Sequence, residues 1–166
     1  MPGWLLQNLH FVVAAIVTAV LLGVYYRWRA AALRRAVVSG APVTFNAFLR
    51  GPAAPYPRRW REGKVQLGFG APVWKPHLAI LRRPVELPLS AVVKEMRPVS
   101  GMREILSISA DYIVLLVQAD ETTIELAVRS AELLSVLQAL ESRSGGGWRV
   151  PPTGPLDVVR GASIPR

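Results

Sequence analysis

The sequence predicts an N-terminal transmembrane α-helix joined to a small β-rich α+β domain, with five to seven antiparallel strands capped by one C-terminal helix. Three observations carry that expectation. The run from Leu9 to Tyr26, LHFVVAAIVTAVLLGVYY, holds no Asp, Glu, Lys or Arg and gives way to four arginines between Arg27 and Arg35. From Arg59 onward, apolar residues recur at period two in short runs broken by Pro, Gly and acidic turns. After Ser130 the period becomes helical.

About 18 to 22 apolar residues at 1.5 Å rise match the ~30 Å hydrocarbon core of a bilayer. The arginines mark the cytoplasmic end, so the N-terminus is expected outside the plasma membrane and the domain in the cytoplasm. Arg27, Arg29, Arg34 and Arg35 are read as the topology determinants. A cleaved signal peptide would open with a basic segment and end in small residues. Here MPGWLLQN has no Lys or Arg, and the run ends in aromatics and arginines. A buried soluble helix is seldom apolar all round for five turns. Trp4 at one end, and Tyr25, Tyr26 and Trp28 at the other, suit the two aromatic belts. His10 sits near the outer end, where it can snorkel to water.

Four segments follow: residues 1–39 as span and basic juxtamembrane helix, 40–57 as connector, 58–143 as folded domain and 144–166 as a disordered tail. Gly40 and Pro42 end the helix, and Pro52, Pro55 and Pro57 make the connector irregular. Arg59 to Phe69 alternates at Val65, Leu67 and Phe69 and reads as the first strand. Trp74 to Leu81 reads as the second. Val85 to Leu89 and Ala91 to Met96 form a third, interrupted at Pro88, and Ile105 to Ser109 a fourth. Tyr112 to Gln118 is the most apolar and suits the sheet centre. With Thr122 to Val128 it makes a hairpin turning at Asp120-Glu121. Ser130 is a candidate N-cap, Glu132 complements the macrodipole, and Leu133, Leu134, Val136, Leu137 and Leu140 form one apolar stripe. The last segment is rich in Pro and Gly without a period. A strand meander followed by a lone amphipathic helix, able to plug one end of a barrel or sandwich, is the pleckstrin-homology-like (PH-like) architecture.

The 166 residues include no Cys, which excludes disulfides, thiolate metal sites and cysteine nucleophiles. The net charge of +9 is uneven. Residues 1–83 hold twelve Lys or Arg against Glu62 alone, a net +11, whereas residues 84–166 hold eight basic and ten acidic residues, a net −2. An anionic leaflet attracts such a basic half at about 1 kcal/mol per cation near the surface.

The span, the arginine-rich junction, the Trp60-Arg61-x-Gly63 entry to a strand and the closing LLSVLQALES helix together resemble a small actinobacterial family of single-pass membrane proteins with a PH-like domain. The gene of that family often lies beside the ATP synthase genes. The resemblance covers roughly residues 5–143. It implies no catalytic residue and no cofactor.

Catalytic constellations are weak. His10 and His77 have no ligand set around them, and no metal site is expected. Glu121 and Glu125, four apart on one extended face, lie about 13 Å apart, too far for a glycosidase pair, and read as a solvated face. Gly68-Phe69-Gly70 precedes no helix, and the Gly145 to Gly147 run follows one, so neither fits a phosphate-binding fingerprint. No cofactor is expected. The basic clusters carry what functional content remains. Arg58, Arg59, Trp60, Arg61 and Lys64, joined by Arg82 and Arg83 if the next strand pairs beside them, are the candidate lipid- or partner-binding residues. Anionic lipid head groups and a membrane-protein partner are the expected ligands. Nucleic acid is not, because the chain is anchored and lacks a platform of exposed aromatics. The leading expectation is a membrane-anchored, non-enzymatic adaptor. The alternative is an accessory or assembly subunit of a larger membrane complex, for which Ala14, Ala15, Thr18, Ala19 and Gly23 offer a close-packing helix face.

Overall fold

A computed structural model describes residues 3–68, 70–77, 83–143 and 147–150, without the side chains of residues 3–8 and 143. Trp4, Phe69, the strand end at 78–81, the site residue Arg82, Gly145-Gly146 and the tail from 151 therefore lie outside what is described. The described residues form one long helix, α1 (Gly3–Val38), an eight-stranded sheet and two further α-helices.

α1 is continuous for 36 residues. Its segment Leu9–Val38 is long and apolar enough to cross a membrane, with a most apolar window of mean hydropathy 2.1 that is wholly exposed. The lower turns differ. Ala30, Leu33 and Val37, at helical spacing, are buried, and Leu33 and Val37 belong to the main core. One helix thus serves two solvents: apolar on every side above Tyr26, amphipathic below it. Gly40, at φ +74°, closes it in a left-handed conformation that costs glycine little.

Residues 43–50 correct the expected connector. They form β1 (Val43–Arg50), in which Val43, Phe45, Ala47 and Leu49 point inward and alternate with Thr44, Asn46, Phe48 and Arg50. β2 (Arg61–Leu67) and β3 (Val73–Pro76) follow, then β4 (Val85–Glu86) and β5 (Ala91–Pro98). The expected fourth strand at 105–109 is instead a helix, α2 (Met102–Ile108). Gly101 (φ +79°) and Ser109 (φ +75°) break the extended path at both ends, and the Glu104 carboxylate accepts the Ser100 backbone N–H at 3.1 Å. β6 (Tyr112–Ala119) and β7 (Thr122–Arg129) form the expected hairpin. A single 3₁₀ turn (Ser130–Glu132) leads into α3 (Leu133–Arg143). Arg129, not Ser130, takes the N-cap position of that turn, without a side-chain capping bond, and Leu134 leaves the expected stripe, being 59% exposed. β8 (Trp148–Arg149) corrects the start of the expected disordered tail. It pairs parallel with β5, and buried Trp148 donates its indole N–H to Pro88 O at 2.8 Å.

The sheet order is β4-β3-β2-β1-β7-β6-β5-β8, with every pairing antiparallel except β5–β8. Eight strands laid flat would span about 34 Å. Val85 on one edge and Trp148 on the other nevertheless belong to the same core cluster, so the sheet curls around it. α3 closes that core with Leu133, Val136, Leu137 and Leu140. Gly63 sits under Trp74, where an added Cβ would come within 2.5 Å of the indole and of Lys75 O. That contact explains the glycine of the Trp-Arg-x-Gly entry.

Two pairs lock α1 to the domain. Arg29 Nε lies 3.0 Å from the buried Glu132 carboxylate, and the Arg129 guanidinium lies 4.2 Å from the centre of the Tyr26 ring. Arg29, expected to act only as a topology signal, is thus a structural partner. Arg29→Ala leaves Glu132 buried without its cation, and the expected loss is about 3 kcal/mol in unfolding of the full chain in detergent. Adding Glu132→Gln recovers part of that loss; no loss in the single variant would return Arg29 to topology alone. Gly63→Ala is expected to cost about 1–3 kcal/mol by overpacking in the same assay.

Candidate functional site

The sheet has an outer face over β1, β7, β6 and β5, covered by α2 through a second apolar cluster of Ile108, Tyr112, Val114 and Ala127. Beside α2 runs an open groove of about 820 Å³. Six arginines line it: Arg50 from the end of β1, Arg58 and Arg59 from the proline-rich loop, Arg61 from β2, Arg97 from β5 and Arg103 from α2. Trp60, Glu104, the turn at Ser100-Gly101, and Met102 and Ser107 of α2 complete the lining.

Strand register brings the distant members together. Arg50 stands opposite Glu125 on β7, and Arg97 stands opposite Val114. Arg50 Nε donates to Glu125, whose other oxygen lies 3.3 Å from Arg97. Arg97 grips Glu104 with two bonds of 2.7 and 2.9 Å, and Arg50 lies 3.6 Å from the same carboxylate. The hydrogen bonds from Arg97 outweigh burial and hold the Glu104 carboxyl down at about 2, while the same contact pushes the Arg97 guanidinium up. Two arginines and two glutamates thus neutralise one another and form a rigid floor. Glu125, expected on a solvated face, belongs to it.

Arg58, Arg59, Arg61 and Arg103 have no carboxylate within ion-pair distance among the described residues. They give the groove its surplus charge. Arg50 also stacks on Trp60 at 4.5 Å, and the buried Trp60 indole N–H meets no acceptor among the described residues. Guanidinium groups without carboxylate partners suit a ligand rich in acceptor oxygens.

The remaining predicted residues separate. Lys64 is on β2 directly opposite Lys75, away from the groove. Arg83 lines a small separate hollow of about 260 Å³ with Trp74 and Pro57. Among the topology residues, Arg27, Arg34 and Arg35 are exposed. His77 lies 3.8 Å from Glu62, and no metal-sized group of three ligands occurs among the described residues. Arg50, Arg97, Arg103 and Glu104 were missed. The alternation at 43–49 was a usable signal for Arg50, since it points position 50 outward; the other three depend on the register of β5 and on α2.

The direction of α1 orients this face. Val37 packs in the inner core, whereas Tyr26 touches Arg129, whose neighbours Tyr112 and Asp111 border the outer-face cluster. Over those eleven residues α1 rises about 16 Å. It therefore runs from the inner core at Val37 to a contact with the outward-pointing Arg129 at Tyr26, and continues beyond it as the exposed apolar segment.

No family model, curated protein or solved structure matches this chain.

The Glu104 carboxyl is held below its ordinary 4.5, so its ion pairs contribute stability above about pH 4.5 and lose it as pH falls towards 2. Acid unfolding of Glu104→Gln followed by circular dichroism is expected to show a shallower slope in that window than the parent. Identical slopes would mean that the floor of the groove contributes nothing.

Proposed function

We propose that the protein is a membrane-anchored, non-enzymatic adaptor whose groove holds anionic lipid head groups beside the cytoplasmic surface. One observation carries the reading: four unneutralised arginines line a groove on the face towards which the apolar part of α1 runs. Arginine matches phosphate oxygens in a planar fork. Held beside a bilayer by its own span, even a weak head-group contact acts at high effective concentration. The arginines following Tyr26 support a cytoplasmic domain and an outside N-terminus, by the excess of positive charge on the inner side.

The PH-like reading draws support from the strand order β4-β3-β2-β1-β7-β6-β5 and from α3 following β7 directly to close the core. It also agrees with the resemblance noted above. β8 and α2 are additions to that plan. Service as an accessory subunit of a larger membrane complex uses the same anchor and calls for a partner along the span.

The test uses the full chain, because Leu33 and Val37 make α1 part of the core. Reconstituted in mixed bilayers, it is expected to immobilise several-fold more spin-labelled phosphatidylglycerol than phosphatidylcholine at low salt. The excess is expected to fall with salt and in the Arg58→Glu, Arg59→Glu, Arg61→Glu variant. Equal immobilisation of both lipids by the parent overturns the head-group reading, and co-migration with a large complex in native gels would then favour the subunit reading.

A further inference from the structure

α2 is a helix with two faces. Ile108 is buried against the sheet, and Glu104 is tied to Arg97. On the other side Ile105 and Leu106 are 40% and 80% exposed, and Met102, at a spacing of three and four from them, is 72% exposed where the stripe meets the rim of the groove. Three large apolar residues in one turn and a half, uncovered on a domain whose other exposed apolar residues lie mostly on α1, call for an occupant.

The geometry of α1 names it. α2 covers the outer face of the sheet, and α1 leaves the inner core and emerges past that same face at Tyr26. The link between the two is short. Arg129 stacks on Tyr26, donates to Tyr112 Oη at 3.1 Å and lies 3.7 Å from Asp111, three residues after the end of α2. Tyr26 is also the last residue of the uncharged run. If α1 spans a bilayer, α2 lies between the sheet and the lipid, with its stripe facing outwards and Arg103 at its flank. That combination of an apolar stripe and a flanking cation is what lets a short helix lie in the head-group region.

We infer that α2 is a lipid-embedded wedge: Met102, Ile105 and Leu106 enter the head-group–acyl boundary of the leaflet that α1 leaves, and so hold the arginine groove against the membrane surface. The inference rests on the reading of α1 as a membrane span. It does not rest on the arginines, because apolar insertion needs no anionic lipid.

The chain contains no Cys, so Leu106→Cys and Met102→Cys each introduce a single thiol on an exposed side chain. Glu141→Cys, on the exposed side of α3 about 12 Å along that helix from Leu133, serves as the reference on the inner side of the sheet. Each full-length variant carries an environment-sensitive fluorophore on its thiol and is reconstituted in phosphatidylcholine vesicles containing lipids with a quencher near the head group. The label at 106, and likewise at 102, is expected to lose roughly half or more of its emission, and the label at 141 roughly a tenth or less, for insertion about 5–10 Å deep. Equal quenching at 106 and 141, or none at 106, overturns the wedge. A blue-shifted but unquenched label at 106 also overturns it, in favour of contact with protein or a second copy. The spin-label comparison of the two lipids is read independently. Loss of the phosphatidylglycerol excess with quenching intact would remove the groove and keep the wedge; the reverse would remove the wedge alone.

Discussion

Everything in this molecule depends on α1 belonging to the apolar segment and the globular core at once. A flexible linker between apolar segment and domain would leave the domain free to turn. Here Ala30, Leu33 and Val37 are buried, and Arg29 and Tyr26 are held by Glu132 and Arg129. Each large buried side chain contributes on the order of 1.5–3 kcal/mol, enough for two or three to fix the docking geometry against thermal motion. The ion pair contributes less in net terms, because desolvating Glu132 offsets much of its attraction. Its effect is on register: a buried carboxylate at the start of α3 accepts one position of α1 and penalises slippage.

That docking makes the outer face special. A sheet curled around its own core needs no second layer outside, and most of its outward positions are polar. Over β1, β7 and β6 the outward positions are Phe48, Ala127, Val114 and Tyr112, and α2 covers them. The groove follows from the short length of that cover. α2 begins only at Met102, and beside its first turn the Arg50–Glu125–Arg97–Glu104 network provides a charged floor in place of an apolar one. Charges fixed to each other on three strands and a helix cannot rearrange cheaply, so the free guanidinium groups of Arg58, Arg59, Arg61 and Arg103 surround a site whose base does not move.

The glutamates were the least legible part of the chain. As sequence, Glu104, Glu125 and Glu132 are ordinary acids just ahead of an expected strand, on a strand face and at a helix start. In the fold two become the floor of the groove and one becomes the anchor of α1. For Glu125 nothing local distinguishes it, because ion pairs across 28 and 75 residues are set by register, and Glu104 meets Arg97, seven residues away, only once the chain between them turns into α2.

The sequence by itself determined the long apolar helix, the β6–β7 hairpin, the β2 alternation and the closing amphipathic helix, since each is a periodicity of 2 or 3.6 legible within a dozen residues. It also placed Arg58, Arg59, Trp60 and Arg61 in one cluster, because they are neighbours in the chain. β1 was legible in the alternation of Val43, Phe45, Ala47 and Leu49, but the prolines after it masked that pattern. Only the tertiary structure decided the rest. Trp148 becomes a core residue because β8 finds the open edge of β5. Residues 102–108 become helical because residues of positive φ at each end break the strand and Arg97 holds Glu104 across it. Lys64 leaves the cluster, lying further along β2 opposite Asn46, and Arg50, Arg97 and Arg103 join it, because only pairing decides which strand ends meet.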